Sequence, residues 1–190
     1  MPLTDGELIQ RIVASDAQAF EELFHRHKEV VYRFAYYLTQ RQDEADDIFQ
    51  ETWLRAVKYL PSSSNIRNFK AWILTIVANI FRDELRKKRI RKILLPLNQQ
   101  SSKDETVQKI NLTEGKPQQN DSDVVDIRLA LNQAIKALHP KQRQVFVLKE
   151  IEGLKHTEIS EILNIPVGTV KSLLYRAIKK LQGELLDFQQ

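Results

Sequence analysis

Apolar residues recur at three- and four-residue steps along most of the chain, which is the pattern of amphipathic helices. Thr4 and Glu7 have the spacing of a capping box, which predicts a short helix to about Ala14. Ser15 or Asp16 can cap a longer second helix. The apolar stripe of that helix consists of Phe20, Leu23, Phe24, Val31, Phe34 and Leu38. Because no segment alternates for long between apolar and polar residues, we expect an all-α fold with little or no sheet.

Two further helices are predicted before position 95. The first spans about 43–59 and is expected to bury Ile48, Trp53, Leu54 and Val57. Pro61 and the serines that follow it then break the chain. The next helix runs from about 68 to 91, apolar at first and strongly basic towards its end. Phe69 and Trp72 near its start can stack on nucleic-acid bases, although a place in the core is favoured for both.

The composition changes abruptly over 98–122, where polar residues predominate. The large apolar residues in this stretch are Val107, Ile110 and Leu112. Such a composition predicts a flexible linker, which over this length spans about 25–30 Å as a random coil. We therefore divide the chain into a helical domain at 1–95, a linker at 96–122 and a second helical domain at 123–190. The linker would let the two domains reach separate sites on one target.

The second domain is predicted to end in a helix-turn-helix. Ser122 can cap a helix to about Leu138, and Pro140 suits the first turn of another that ends near Gly153. Helices at about 156–164 and 167–186 follow, joined by Asn164-Ile165-Pro166. Ile159, Leu163, Ile165 and Val170 occupy the apolar positions that hold two crossing helices together, and Ser160 is small where the helices approach.

The last helix has one apolar and one polar side. If Val170, Leu173, Leu174, Ala177 and Leu181 face inward, the outward side carries hydroxyls and cations. Its members are Thr169, Lys171, Ser172, Tyr175, Arg176 and Lys179. Side chains of these types near the start of a second helix are what contact with the DNA major groove requires. The structural alternative is an ordinary helical hairpin within a bundle.

Composition narrows the classes of function. The 190 residues include 29 Lys and Arg against 25 Asp and Glu, for a net charge of +4, and no Cys. The absence of Cys excludes a disulfide framework, a thiolate zinc site and a cysteine nucleophile. We find no phosphate-binding loop, nucleophile elbow, signal peptide or membrane span. We therefore expect a cytoplasmic protein that is not an enzyme and that has no cofactor, metal or small-molecule substrate.

Two charged blocks of opposite sign stand in the first domain. The basic block at 82–92 contains seven cations, which repel one another unless a polyanion lies near. On the third helix, Asp46, Asp47, Gln50 and Glu51 can share one polar face. This face favours docking of a basic protein partner. An acid- or metal-dependent hydrolase that uses Asp46, Asp47 and His25 is an alternative of a different class.

Three segments resemble motifs of the bacterial sigma-70 factors, and of their small extracytoplasmic-function (ECF) subfamily in particular. Residues 45–56 (ADDIFQETWLRA) are similar to the motif that binds core RNA polymerase. Residues 72–79 (WILTIVAN), followed by Asp83, Arg86 and Lys87, are similar to the helix that melts the promoter and reads its downstream element. Residues 158–172 (EISEILNIPVGTVKS), with Arg176 and Ala177, are similar to the C-terminal helix-turn-helix.

This resemblance implies a role for each surface. Asp46, Asp47, Gln50, Glu51 and Trp53 would bind core polymerase. Asn79, Asp83, Arg86, Lys87 and Lys88 would lie near the melted downstream strand. Thr169, Lys171, Ser172, Tyr175, Arg176 and Lys179 would bind the upstream element as duplex. The partners implied are bacterial core RNA polymerase, promoter DNA and an anti-sigma factor, without membrane insertion of the chain itself.

Two alternative functions account for some of these observations. A polymerase-independent helix-turn-helix regulator would bind duplex DNA as the free protein, but it leaves the acidic face and the helix at 72–92 without a role. A pure adaptor would dock on polymerase without reading promoters, which does not account for the basic outer side of the last helix.

Overall fold

The computed structural model describes residues 3–62, 66–94 and 122–187, and every regular element in those ranges is helical. The all-α prediction is therefore confirmed. Apart from Ser122, which begins α5, the predicted linker lies outside the described residues. The helices are α1 (Asp5–Val13), α2 (Ala17–Thr39), α3 (Gln42–Tyr59), α4 (Phe69–Leu94), α5 (Ser122–Ala137), α6 (Pro140–Phe146), α7 (His156–Leu163) and α8 (Val167–Asp187).

Local side-chain contacts fix the helix ends. Thr4 caps α1 in a reciprocal capping box, because its hydroxyl accepts from the Glu7 N–H at 3.3 Å and its own N–H donates to the Glu7 carboxylate at 2.7 Å. Asp16 rather than Ser15 caps α2, by accepting the N–H groups of Gln18 and Ala19.

Long helices pack side by side to form the first domain. The core between α2, α3 and α4 is built from large apolar residues that are entirely buried or nearly so, among them Phe34, Leu38, Phe69, Ile73 and Leu74. Trp53 of α3 lies edge-on to Phe24 of α2, with ring centroids 4.7 Å apart.

The prediction for the buried side of α3 was wrong for two of its four residues. Leu54 is 66% exposed and Val57 is 54% exposed, whereas Ile48 and Trp53 are buried as predicted. The remaining buried positions of α3 are taken by Ala45, Thr52 and Ala56. Thr52 can lie in the core because its hydroxyl donates to the Ile48 carbonyl oxygen at 2.7 Å. Small side chains at these positions let α3 approach its neighbours, and this turns Leu54 and Val57 outward.

The helix predicted from Pro140 to near Gly153 is interrupted. After α6, residues Val147–Ile151 form a wider π turn, in which the Glu152 N–H donates to the Val147 carbonyl oxygen at 3.0 Å. Gly153 follows with a φ of +71°, a left-handed conformation that favours glycine. Together the π turn and Gly153 end this segment and set the direction of Glu152.

The two halves of the chain share one continuous cluster of buried apolar residues. Polar contacts also join them. Arg143 of α6 is buried and donates to the carbonyl oxygens of Leu38 at 2.8 Å and Ile135 at 3.1 Å. Burial lowers the pKa of the Arg143 guanidinium. Arg82 of α4 donates to the Leu163 carbonyl oxygen at 3.4 Å. The two domains thus pack against each other, with α7 on α4, and this arrangement is called the closed chain.

Candidate protein and nucleic-acid interfaces

The outer side of α3 carries the predicted acidic face. Asp47 and Gln50 are exposed, while Asp46 and Glu51 are half-buried. Their spacing sets them opposite the buried stripe of Ala45, Ile48 and Ala56. The structure therefore brings these four side chains to one side of the molecule.

The carboxylates of this face differ in their contacts. Glu51 pairs with Arg55 of the next turn at 2.7 Å. Asp46 accepts a hydrogen bond from the Tyr32 hydroxyl of α2, and burial together with this bond raises the pKa of Tyr32. No ion pair of the described residues involves Asp47. Asp47 is thus the carboxylate most available to a partner.

Trp53, the fifth residue of this predicted group, lies in the core. It is 7% exposed and packs between the rings of Phe20, Phe24 and Phe49. Its indole Nε1 is buried without a hydrogen-bond partner among the described residues. This position fits a residue that supports the acidic face from behind and does not itself touch a partner.

A groove of about 600 Å³ separates the outer side of α3 from the second half of α4. Asp47, Gln50 and Leu54 line one wall, and Asp83, Arg86 and Lys87 line the other. Sequence reasoning missed Leu54 as a surface residue, although a signal was present. On a helical projection, Leu54 lies opposite the stripe of Ala45, Thr52 and Ala56, so that its outward direction could have been inferred.

The cations predicted for the melted strand are exposed on α4 but already have carboxylate neighbours. Arg86 lies 3.7 Å from Asp83, Lys87 lies 2.7 Å from Glu84, and Lys88 lies 2.6 Å from Glu44 of α3. These contacts weaken the argument that the basic block needs an external polyanion. They are surface pairs, however, and such pairs contribute only about 0–1 kcal/mol each.

The other predicted members of the α4 group fall into two sets. Asn79 is exposed and lies about two turns before the basic end, whereas Asp83 is half-buried and lies about one turn before it. Phe69 is 2% exposed and packs against His27 with ring centroids 4.9 Å apart, so it belongs to the core. Trp72 is partly buried beside it.

The predicted helix-turn-helix is present in α7 and α8. Asn164 ends α7 in a left-handed conformation with φ of 52°. The Ser160 hydroxyl donates to the Ile165 carbonyl oxygen at 2.5 Å, so this small residue also holds the turn. Ile159, Leu163 and Val170 are buried where the helices cross. Ser160 therefore has a role beyond the predicted one: besides being small where the helices approach, it donates a hydrogen bond that holds the turn.

All six residues predicted for the outer side of α8 are exposed. Tyr175 is 65% exposed, and the Lys179 ammonium lies 6.0 Å from the centre of its ring. The Ser172 hydroxyl donates to the Thr169 carbonyl oxygen at 3.0 Å. On the inner side, Val170, Leu174, Ala177 and Leu181 are buried. An exposed side of hydroxyls, one aromatic ring and cations can contact the edges and phosphates of a DNA groove.

In the described parts of the chain, none of the helices is both long and apolar enough to cross a bilayer. The same parts contain no group of three or more His, Asp and Glu side chains placed to hold a metal ion.

Comparison with known families defines the class of protein. Residues 23–91 match the family model of sigma-70 region 2, and residues 128–181 match that of sigma-70 region 4. The first range contains the α3 and α4 surfaces, and the second contains the helix-turn-helix. The protein is therefore a sigma factor, the class of subunit that directs RNA polymerase to promoters.

Relatives identify the subfamily. The ECF RNA polymerase sigma factor SigW of Bacillus subtilis is 31% identical over 94% of this chain and 95% of its own length. BldN of Streptomyces coelicolor, also an ECF sigma factor, is 29% identical, and the match covers 95% of this chain and 66% of BldN. The chain belongs to the ECF sigma factors.

Solved structures share the fold. The sigma factor RpoE of Bartonella quintana, in complex with the anti-sigma factor NepR, matches with a TM-score of 0.67 and 22% identity, over 89% of this chain and 98% of RpoE. CnrH, in complex with the cytosolic domain of CnrY, matches with a TM-score of 0.66 and 23% identity, over 98% of this chain and 99% of CnrH.

Proposed function

We propose that this sigma factor docks on core RNA polymerase through the outer side of α3. The carboxylates of Asp46, Asp47 and Glu51, together with the amide of Gln50, would meet a basic helical surface of the largest core subunit. The exposed Leu54 and Val57 on the same side support this assignment, because stable protein interfaces combine an apolar centre with a polar rim. Trp53 would stiffen α3 from the core.

The second half of α4 is proposed to hold the melted downstream strand. Asn79 can pair with an unstacked base edge, and Arg86, Lys87 and Lys88 can bind phosphates. Their present carboxylate partners, among them Asp83, would be exchanged for phosphate oxygens. Such an exchange is favourable in free energy, because a surface ion pair is weak whereas phosphate contacts release condensed counterions.

The outer side of α8 is proposed to bind the upstream element as duplex. Its base-reading and phosphate-binding residues would be Thr169, Lys171, Ser172, Tyr175, Arg176 and Lys179. Arg176 and Lys179 lie on consecutive turns with exposed side chains, which suits phosphate contact along a groove. Thr169 and Ser172 lie nearer the start of the helix, where base edges are usually reached.

These assignments divide the chain into domains at 1–95 and 123–190, joined by the linker at 96–122. The chemistry of RNA synthesis would belong wholly to the polymerase, so that this chain itself is not an enzyme. Its place would be the cytoplasm, where polymerase and DNA are found. Since RpoE and CnrH were solved with protein partners, one of them an anti-sigma factor, we expect an anti-sigma protein to bind this chain.

The observation that carries the proposal is the exposure of two chemically opposite surfaces in one chain, acidic and apolar on α3 and basic on α8. Run-off transcription with purified bacterial core polymerase, with and without this protein, on DNA from its own genome tests it. New start sites that depend on the protein are expected. No dependent transcript and no co-elution with core polymerase would favour a regulator that acts without polymerase.

A further inference from the structure

A buried carboxylate of the second domain lies between two cations of the first. The Glu152 side chain has no exposed surface and follows the π turn. Arg33 of α2 contacts it through both ends of its fork, with Nε 2.8 Å from Oε1 and Nη2 3.1 Å from Oε2. Lys70 of α4 lies 3.4 Å from Oε2 and donates to the Glu152 carbonyl oxygen at 3.0 Å. Here Arg33 and Lys70 are called the cation pair.

The cation pair has the features of an anion site that belongs to the first domain alone. A guanidinium fork matches the spacing of oxygens on a carboxylate or a phosphate, and a lysine adds a second point charge. Lys70 is the second residue of α4, and the Asn68 side chain caps that helix by accepting the Ala71 N–H at 3.0 Å. Lys70 therefore lies in the first turn of α4, at the positive end of the helix dipole.

The Glu152 carboxylate leaves the cation pair whenever the two domains separate. Glu152 belongs to the second domain, and among the described residues no other carboxylate forms an ion pair with Arg33 or Lys70. Both cations are about one-third exposed even in the closed chain. The hydrogen bonds to Glu152 raise the pKa of Arg33, which agrees with a site that favours an anion.

We propose that the cation pair binds a backbone phosphate of promoter DNA when the domains separate, and that Glu152 holds this place in the closed chain. The inference rests on the proposed function, in which the domains contact separate promoter elements. A phosphate is favoured over an acidic protein segment because Lys70 lies on α4, the helix assigned to the DNA strand. The surface assigned to polymerase is on α3 and is itself acidic. Glu152 therefore competes with DNA for one site.

Three versions of the full chain, each bound to core polymerase, show whether the cation pair is a DNA-binding site or only a contact that holds the two domains together. They are the unchanged protein, Glu152→Gln, and Arg33→Gln combined with Lys70→Gln. The probe is a promoter fragment identified by run-off transcription, and its Kd is measured at several salt concentrations. Both variants remove the ion pairs of Glu152 with Arg33 and Lys70, but only the second also removes the proposed phosphate contact.

We expect Glu152→Gln to bind the fragment as tightly as the unchanged holoenzyme or a few-fold more tightly, with the same salt dependence. The double variant should bind about tenfold more weakly, and its slope of log K against log salt should fall by about 1 for the lost phosphate. Equal affinity for the promoter fragment and equal salt slopes for the two variants would overturn the proposal, because the cation pair would then only hold the two domains together.

Control measurements keep the outcomes distinct. Arg11→Gln with Lys141→Gln removes two exposed cations elsewhere and should leave the slope unchanged. Circular dichroism checks that each variant is folded. Weaker binding of the double variant to core polymerase, with unchanged DNA affinity, would assign the site to an acidic protein segment and would also overturn the proposal. Failure of the unchanged protein to support transcription would refute the proposed function itself, and this inference with it.

Discussion

The outer sides of α3 and α8 are both exposed helix faces above a buried stripe, yet their chemistry is opposite. On α3, carboxylates share the outer side with the exposed aliphatic residues Leu54 and Val57. On α8, hydroxyls and cations surround Tyr175, and Val170, Leu174 and Leu181 face inward. A face that combines acids with apolar surface is suited to a protein, because burial of the apolar centre contributes to affinity. A basic face with little aliphatic surface is suited to a polyanion, whose binding is dominated by charge.

Charge reversal on α3 is expected to have the largest effect, and it tests the contrast between the acidic face of α3 and the basic face of α8. Asp47→Lys with Glu51→Lys should reduce affinity for core polymerase by at least about hundredfold, because two attractive contacts become repulsive. Co-elution and a binding titration measure the loss. Glu21→Lys with Glu184→Lys makes the same change in net charge at exposed sites elsewhere and should have little effect. Unchanged affinity of the α3 variant would remove this face from the interface.

Truncation of the apolar centre of the same face should have the next largest effect. Leu54→Ser should weaken polymerase binding by about tenfold, since an interface would lose a buried apolar side chain. It should not lower the melting temperature, because Leu54 is 66% exposed. Val13→Ser alters an apolar residue of α1 that is 46% exposed and serves as the matched control. Equal binding by both variants would mean that the α3 face acts through charge alone.

On α8, removal of one cation should change the salt dependence more clearly than the affinity. Arg176→Ala should weaken promoter binding by the holoenzyme several-fold and should lower the salt slope by about 1. Arg11→Ala removes an exposed arginine from α1 and should change neither quantity. A filter-binding series across salt concentrations provides the measurement. An unaltered slope for Arg176→Ala would show that this residue touches no phosphate.

The smallest effect concerns stability beneath the α8 surface. Ser160→Ala should lower the free energy of unfolding by about 1 kcal/mol, because the partly buried Ile165 carbonyl oxygen loses its donor. Ser172→Ala removes a hydroxyl that also donates to a main-chain carbonyl, but in an exposed position, where water can replace it. Thermal or urea unfolding of both variants measures the difference. Equal stability would mean that the Ser160 bond is not needed at the turn.

Sequence periodicity predicted the helices well where one side of a helix was uniformly apolar. The cap at Thr4 and the turn at Asn164 depend on side chains within a few residues, so local chemistry was enough to predict them, and it narrowed the cap of α2 to Ser15 or Asp16. The prediction failed on α3, where Leu54 and Val57 are apolar but exposed. Apolar character alone does not distinguish a core residue from the centre of a binding surface. Trp53, which the apolar pattern assigned to the core and the family resemblance assigned to polymerase binding, is buried.

The candidate surfaces were foreseen to different degrees. The six outward residues of α8 follow directly from helix geometry and are all exposed, although their DNA contacts stay a prediction. The ion pairs of Arg86 and Lys87 lie within one turn of α4 and could have been read from their spacing to Asp83 and Glu84. The pair of Lys88 with Glu44 joins two helices and could not.

What the sequence by itself determined is local: the helical class, the caps, the helix-turn-helix, the acidic and basic sides of single helices and the family resemblance. These properties depend on residues within a few turns of one another. Only the tertiary structure decided that Arg33, Lys70 and Glu152 meet, because they lie on three segments far apart in the chain. Their meeting depends on how the helices of two domains pack, on the π turn that directs Glu152 and on a closed arrangement that no periodicity encodes.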